Sequence, residues 1–247
     1  MEYSLPIPDD GRRQLAAGWL MLGLAALLGS GIFSVLLVLA RTPYVQNFFP
    51  WVDFFHTALV VHVDLSVLVW FLAFGGALWS LNSTPRFLGA GRLALLLATL
   101  GTLAIAAAPF SGAGEALMSN YIPVLQQTWF LAGLLLFAAG FAVLTLRAMG
   151  AIPPVGQWME GAAALRFGLN TAAVSAMLAL IAFAWSYFTA PEFLHGKPYY
   201  ELLFWGGGHV LQFTYTLLML VAWLWLASAS GVPLTLCPRV ALIFFGF

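Results

Sequence analysis

The sequence predicts an all-α, polytopic transmembrane helical bundle, and two observations carry this prediction. The 247 residues are 62% hydrophobic and only 7% charged, which excludes an ordinary soluble domain. The apolar residues are also grouped into runs as long as the roughly 20 residues that a helix needs to cross a bilayer. The formal net charge is zero, so nothing in the composition indicates nucleic acid as a partner.

Six apolar runs are long enough to span the bilayer, and a seventh is incomplete. We predict a single membrane domain over residues 1–247. The first run is not a cleavable signal peptide, because it is as long as a full span and lacks a small-residue cleavage site. The seventh run is either a half-inserted segment or the start of a further span in a longer protein, and we favour the second. The predicted spans are Gln14–Ala40, Asp53–Leu81, Leu93–Phe110, Thr128–Met149, Phe167–Thr189 and Tyr200–Ala229, followed by the short run Val240–Phe247.

The basic residues outside these runs predict the orientation. An excess of arginine and lysine marks the cytoplasmic side of a membrane protein. On the side opposite the N-terminus, only Arg41 and Lys197 are basic. We therefore expect a cytoplasmic N-terminus. The basic residues on the N-terminal side are Arg12, Arg13, Arg86, Arg92, Arg147, Arg166 and Arg239.

Two of the four histidines, His62 and His209, lie inside apolar runs, where an ionisable side chain is a functional candidate. Each lies nine residues into a run that enters from the outer side, about 13 Å along a helix. A shared metal or cofactor layer would require such matched depth. The alternative for each is a hydrogen bond to a neighbouring helix. We expect His56 at the outer interface and His195 in a solvated outer loop.

Helical spacing gives His62 its neighbours. Residues three and four positions apart share a helix face, so we expect Ser66 and Val69 beside His62. Asp64 lies about 200° away and cannot orient the imidazole directly. It is either a functional group or the partner of a polar group on another helix.

His209 follows three glycines, Gly206–Gly208, which allow a bulky group to approach the backbone. It shares its face with four side chains. Two of them, Trp205 and Phe213, either wall a planar cofactor or pack against neighbouring helices. Gln212 offers a neutral hydrogen-bonding group, and Thr216 completes the face.

These segments carry a family resemblance. The stretch 204–213, FWGGGHVLQF, resembles the sixth-helix motif of subunit I of heme–copper oxidases and nitric oxide reductases. The stretch 59–71, LVVHVDLSVLVWF, resembles the second-helix motif, and 120–125, NYIPVL, is similar to divergent bacterial members. The resemblance implies that His62 is an axial ligand of a low-spin b-type heme. It also implies that His209 is a catalytic copper ligand, with Trp205 beside the cofactor.

A member of this family would be a terminal oxidase, similar to cytochrome c oxidase subunit I, in a bacterial inner (plasma) membrane. It would reduce oxygen, or in one branch nitric oxide, with electrons from a cytochrome c-like donor and together with other oxidase subunits. Such proteins have about twelve helices. The second low-spin ligand, the high-spin heme ligand and two copper histidines lie on helices seven and ten, which the six spans here do not include.

The sequence departs from the family pattern beside His209. Leu211 and Phe213 stand where the common oxidase branch has a glutamate and a cross-linked tyrosine. Two other interpretations therefore remain open. His62 and His209 together could bind one b-type heme in an electron-transfer protein. Alternatively, a transporter or sensor would use them to handle protons or a ligand.

Overall fold

The computed structural model describes residues 2–51, 53–112, 114–156 and 160–246. Within them the protein is an all-α bundle with six helices long and apolar enough to cross a membrane, so the predicted fold class is confirmed. A seventh helix, α7 (Pro238–Gly246), is short and packs against α5; Phe247, the last residue of the predicted seventh run, lies outside the described residues. The six long helices are α1 (Gly11–Arg41), α2 (Phe54–Leu81), α3 (Leu88–Ala107), α4 (Thr128–Gly150), α5 (Gly161–Thr189) and α6 (Gly196–Ala229).

Four helices begin earlier than the apolar runs predicted: α1, α3, α5 and α6. The residues gained ahead of the predicted starts of α3, α5 and α6 include Arg92, Arg166 and Lys197 respectively. A basic residue ends an apolar run without interrupting the helix, because arginine and lysine are good helix formers. Their long side chains reach the membrane surface while the backbone stays helical.

Helices α3 and α4 pack closely through glycines. A Cβ atom added to Gly101 of α3 would lie 2.5 Å from the backbone nitrogen of Phe137 on α4. One added to Gly140 would lie 2.7 Å from backbone atoms of α3. Small residues let helix backbones approach each other, and the resulting van der Waals contact replaces the hydrophobic effect that lipid does not supply.

Helix α2 connects α1 with the part of the bundle formed by α5 and α6. It packs against α1 on one side and contacts α6 on the other. The rings of Phe71 and Tyr215 stack with their centroids 4.8 Å apart. Near the C-terminal end of α2, the indole N–H of Trp79 donates to the carbonyl of Leu169 on α5 at 2.9 Å. These contacts hold α2 in a fixed register against α5 and α6.

A small hairpin between α3 and α4 closes the end of the bundle opposite the N-terminus, which the sequence predicts to be the outer end. Its strands, β1 (Glu115–Leu117) and β2 (Val124–Gln126), pair antiparallel with Ala116 opposite Leu125. The turn between the strands reaches α6, where the backbone N–H of Asn120 donates to the Glu201 carboxylate at 3.2 Å. The hairpin therefore lies over the start of the helix that carries His209.

The glycine contact between α3 and α4 gives a first prediction. We expect Gly101→Ala to lower the free energy of unfolding by about 1–3 kcal/mol, because the added methyl group meets backbone atoms that cannot rotate away. Gly31→Ala is the matched control, since no atom lies within 4 Å of its added Cβ. Denaturant unfolding in detergent, followed by circular dichroism, measures both. Equal stability of the two variants would contradict the packing.

Candidate functional site

His62 is held against α1 by a reciprocal pair of hydrogen bonds. Its Nδ1–H donates to the carbonyl oxygen of Ser30 at 3.0 Å and lies 2.9 Å from the Ser30 hydroxyl. That hydroxyl donates in turn to the carbonyl oxygen of His62 at 3.1 Å. The pattern assigns the proton to Nδ1 and leaves the lone pair on Nε2. Among the described residues, the hydrogen-bond partners of the ring all lie at Nδ1.

A π-helical turn follows His62 directly. It covers Asp64–Val69, and the N–H of Trp70 donates to the carbonyl of Leu65, five residues back. Such turns are frequent at functional sites because they change which side chains share a face. Val69, expected on the His62 face, is fully buried. The next residue, Trp70, is only partly buried, and its indole packs on Gly23 of α1.

Two serine hydroxyls bond to the backbone at the start of this turn. The Ser66 hydroxyl donates to the carbonyl oxygen of His62 at 2.8 Å and lies 3.2 Å from that of Val63. Ser66 is thus on the His62 face, as predicted. The carbonyl of His62 accepts from two hydroxyls, those of Ser66 and Ser30, which fixes the backbone beneath the imidazole.

Asp64 lies away from His62 and is 1% exposed. Neither carboxylate oxygen has a hydrogen-bond partner among the described residues. Of the two alternatives for Asp64, the pair with a polar group on another helix is therefore not found within that part of the chain. An ionised carboxylate in such surroundings is costly.

His209 is held by its own helix and by the outer hairpin. Its Nδ1–H donates to the carbonyl oxygen of Trp205, one turn earlier, at 2.8 Å. The hydroxyl of Tyr121 lies 2.9 Å from both ring nitrogens. Because Nδ1 uses its proton on the carbonyl, the phenol donates to Nε2. Tyr121 has a left-handed backbone, with φ at 69°, which places its ring over α6.

The glycines before His209 receive side chains of this chain itself. A Cβ atom added to Gly207 would lie 2.4 Å from the ring of Phe183 on α5. One added to Gly208 would lie 2.2 Å from the ring of Tyr121. The bulky groups that the glycines admit at these two positions are therefore aromatic rings of α5 and the hairpin.

The His209 face of α6 is open. Trp205 and Phe213 are 58% and 63% exposed, and His209, Gln212 and Thr216 are exposed beside them. The indole of Trp205 lies against the imidazole, with ring centroids 4.2 Å apart. Within the described residues, Trp205 and Phe213 do not serve as packing between helices. They frame His209 on a surface where a further helix or a planar group has room.

The two histidines lie at similar depth, although neither is among the residues that line the cleft between α2 and α6. The contacts of Phe71 with Tyr215 and of Gly75 with Leu218 put His62 level with Gly206, about 4.5 Å along the helix from His209. A cleft of about 340 Å³ separates α2 from α6. The residue after His62 lines it on one side, and Gly208 and Gln212 line it on the other.

A second cavity, of about 330 Å³, lies beside this cleft among α2, α4, α5 and α6. Its walls are almost entirely apolar side chains, with tyrosines at the outer end. Leu68, Ile122 and Leu211 line both spaces. The apolar cavity therefore adjoins the cleft near His209.

The other two histidines lie at the outer end of the bundle. His56 is half-exposed and pairs with Asp53 at 2.5 Å. His195 is exposed and precedes the first turn of α6. Both positions agree with the expectation of interfacial and solvated side chains.

The residues at His62 fit an axial heme ligand. A histidine that binds a metal usually donates its other N–H to a carbonyl or carboxylate, which fixes the ring and the tautomer. The Ser30 carbonyl does this for His62, and Nε2 carries the lone pair. The described residues do not complete a copper site at His209, because no group of three or more His, Cys, Asp or Glu side chains lies together there. His209 supplies one imidazole only.

The fold defines a multi-pass helical membrane protein with two intramembrane histidines. The chain is 31% identical over 238 residues to an uncharacterised protein of Rickettsia prowazekii (strain Madrid E), covering 85% of this chain and 46% of that protein. It is 32% identical over 228 residues to an uncharacterised protein of Aquifex aeolicus (strain VF5), covering 92% of this chain and 57% of that protein. The chain thus spans about half the length of these curated relatives. No family model and no solved structure matches it.

Two residues of the site, Ser30 and Tyr121, were not predicted from the sequence. Ser30 lies 32 residues before His62, and Tyr121 lies 88 residues before His209. Tyr121 stands in the stretch 120–125 that carried the family resemblance, but nothing in its spacing pointed to His209. For Ser30, a hydroxyl within an apolar run was the available signal.

The Tyr121 contact gives a second prediction. We expect Tyr121→Phe to increase the rate at which diethyl pyrocarbonate modifies His209 several-fold, because the reagent needs the Nε2 lone pair that the phenol occupies. Peptide mass spectrometry measures modification at each histidine. His195 is the internal control and should react at an unchanged rate. An unchanged His209 rate would mean that the phenol does not cover Nε2.

Proposed function

We propose that this chain provides the first six helices of a heme–copper oxidase subunit I-like protein. In this proposal His62 is an axial ligand of a low-spin b-type heme, and His209 is a copper ligand with Trp205 beside it. The observation that supports it best is the hydrogen bonding of His62. Its Nδ1–H is fixed by the Ser30 carbonyl, so Nε2 is prepared to bind a metal.

Three parts of the chain would position the heme ligand. Ser30 on α1 sets the tautomer and the ring plane of His62. Ser66 holds the backbone of the π-helical turn beneath it. Bound there, heme iron supplies reversible one-electron transfer, and the axial ligand and its hydrogen bond tune the potential.

The remaining copper ligands would come from further helices. The His209 face of α6 is exposed, and the two relatives are about twice as long as the part that they share with this chain. Helices packed on that face would bring donors next to His209. Copper binding at Nε2 also requires the Tyr121 hydroxyl to move aside, since it occupies that nitrogen.

The cavities favour a small apolar substrate. The apolar cavity among α2, α4, α5 and α6 adjoins the cleft near His209, and Leu68, Ile122 and Leu211 line both spaces. Dissolved gases such as oxygen partition into apolar surroundings and would reach the site from the membrane. We propose oxygen as the substrate, reduced to water with electrons from a cytochrome c-like donor and protons taken up from the aqueous phase; nitric oxide, also a small diatomic gas of low polarity, is the alternative.

The proposal places the protein in a bacterial inner (plasma) membrane, together with other oxidase subunits. The excess of arginine on the N-terminal side puts the N-terminus in the cytoplasm. The histidines then lie nearer the outer surface, on the side from which a soluble cytochrome would deliver electrons.

Metal content and spectra of single variants test the ligands, which is our third prediction. In protein purified from its own membranes, we expect a low-spin b-type heme spectrum and copper by elemental analysis. His62→Ala should abolish the low-spin heme signal and keep copper, whereas His209→Ala should lose copper and keep the low-spin heme. His195→Ala, an exposed histidine, is the control and should change neither.

The same measurements distinguish the two rival interpretations. A bis-histidine b-type cytochrome would lose its heme in both the His62 and the His209 variant, and it would contain no copper. A transporter or sensor would contain neither cofactor. Either result contradicts the proposed oxidase.

A fourth prediction concerns residues 1–247 expressed alone. We expect this chain to show no oxygen consumption above background with reduced cytochrome c, because its described residues offer one copper donor. An oxygen electrode measures the rate. A helical circular-dichroism spectrum of the purified chain serves as the control for folding. Measurable turnover would refute the ligand assignment.

A further inference from the structure

Three arginines gather around Ser83, at the end of the bundle where the N-terminus lies. The Arg12 guanidinium donates to the carbonyl of Ser83. Arg147, on α4, donates from Nη2 to the Ser83 hydroxyl at 3.0 Å. Arg166, on α5, lines a cavity of about 160 Å³ together with Arg12, Asn82 and Ser83. The cavity is far from the two histidines and independent of the proposed function.

Arg147 is buried without an anionic partner. It is 2% exposed. Its Nε donates to the carbonyl of Phe87 at 3.2 Å, and Nη1 has no hydrogen-bond partner among the described residues. Both acceptors of this guanidinium are neutral oxygens. A buried cation with only neutral partners is poorly compensated for the loss of water, and a nearby anion would compensate it. Arg147 does not itself line the cavity; it lies behind Ser83, to whose hydroxyl it donates.

The carboxylates of the chain do not supply that anion. Asp10 accepts from Nε of Arg12 at 2.9 and 3.0 Å, and these hydrogen bonds hold the pKa of Asp10 below its ordinary value. Asp10 is therefore ionised at neutral pH and neutralises Arg12. Among the described residues, no carboxylate pairs with Arg147 or Arg166. The cluster around Ser83 has three cations and one anion.

We propose that this cavity binds a phosphate group, either as inorganic phosphate or as the headgroup of an anionic phospholipid of the adjoining leaflet. Guanidinium groups match phosphate oxygens with paired N–H donors. Asn82 and Ser83 add polar groups to the wall. The cavity also lies where α2 ends and α1 and α5 begin, the level at which headgroups meet a bundle. Bound phosphate would join α1, α5 and the α2–α3 connection electrostatically.

The test measures thermal unfolding of the delipidated chain in a zwitterionic detergent, with three additions. These are inorganic phosphate, dioleoyl phosphatidylglycerol and dioleoyl phosphatidylcholine. We expect phosphatidylglycerol or inorganic phosphate to raise the unfolding midpoint and phosphatidylcholine to do so less. A response to phosphatidylglycerol alone identifies the lipid as the source, and a response to inorganic phosphate identifies the free ion. No response to either, or equal responses to both lipids, would overturn the proposal.

Variants locate the effect. Arg166→Gln should raise the concentration needed for half the midpoint shift about tenfold, since one charge-assisted contact is lost. Arg166 is partly exposed, so this variant avoids the folding defect that a change at Arg147 could bring. Arg13→Gln is the matched control, because Arg13 lies on the same side of the bundle and pairs with Asp9. If both variants respond as the unmodified chain does, the anion binds elsewhere.

Discussion

Lipid offers no hydrogen bonds, and this constraint determines how polar side chains are used throughout the bundle. Most hydroxyls within the spans donate to a carbonyl of their own helix; Thr102 and Thr145, for example, donate to the carbonyl four residues earlier. The pairs that cross between helices are correspondingly few and informative. Asn82 donates to Asn170, and Trp79 donates to Leu169, where the α2 end meets α5.

The environment of His62 follows from the same constraint. The carbonyl of His62 lies directly before a π-helical turn, and in lipid such a group needs its hydrogen-bond donor from within the protein. Ser66 and Ser30 supply it, and Ser30 also accepts from the imidazole. The helix irregularity and the orientation of the histidine are thus one arrangement. Among the described residues, both carboxylate oxygens of Asp64 and Nη1 of Arg147 are buried without a hydrogen-bond partner, as are single polar atoms of Trp19, Thr84 and Gln127.

How far the sequence alone predicts this protein depends on the range of the interaction. The six spans were predictable because each depends on the length of one apolar run. The starts of α3, α5 and α6 were not, since Arg92, Arg166 and Lys197 end a hydropathy signal but continue a helix. The π-helical turn was missed because its residues, Asp64–Val69, have the composition of a regular membrane helix.

The residues of the candidate site also differ in whether the sequence alone predicts them. His62 and His209 were identifiable because an imidazole in an apolar run is unusual by itself. Ser30 and Tyr121 were not, because each meets its histidine through tertiary packing between segments far apart in the chain. The sequence predicts that bulky groups approach the backbone at Gly207 and Gly208, and the structure places aromatic rings there. The packing of α5 and the hairpin determines which side chains approach them, namely Phe183 and Tyr121.

The contact of the outer hairpin with α6 also orders the assembly of the protein in time. Synthesis runs from the N-terminus, so the hairpin is made before α6, and Tyr121 has no His209 to contact until the sixth helix has been made. The Tyr121–His209 hydrogen bond therefore forms only after six helices of the chain have been synthesised.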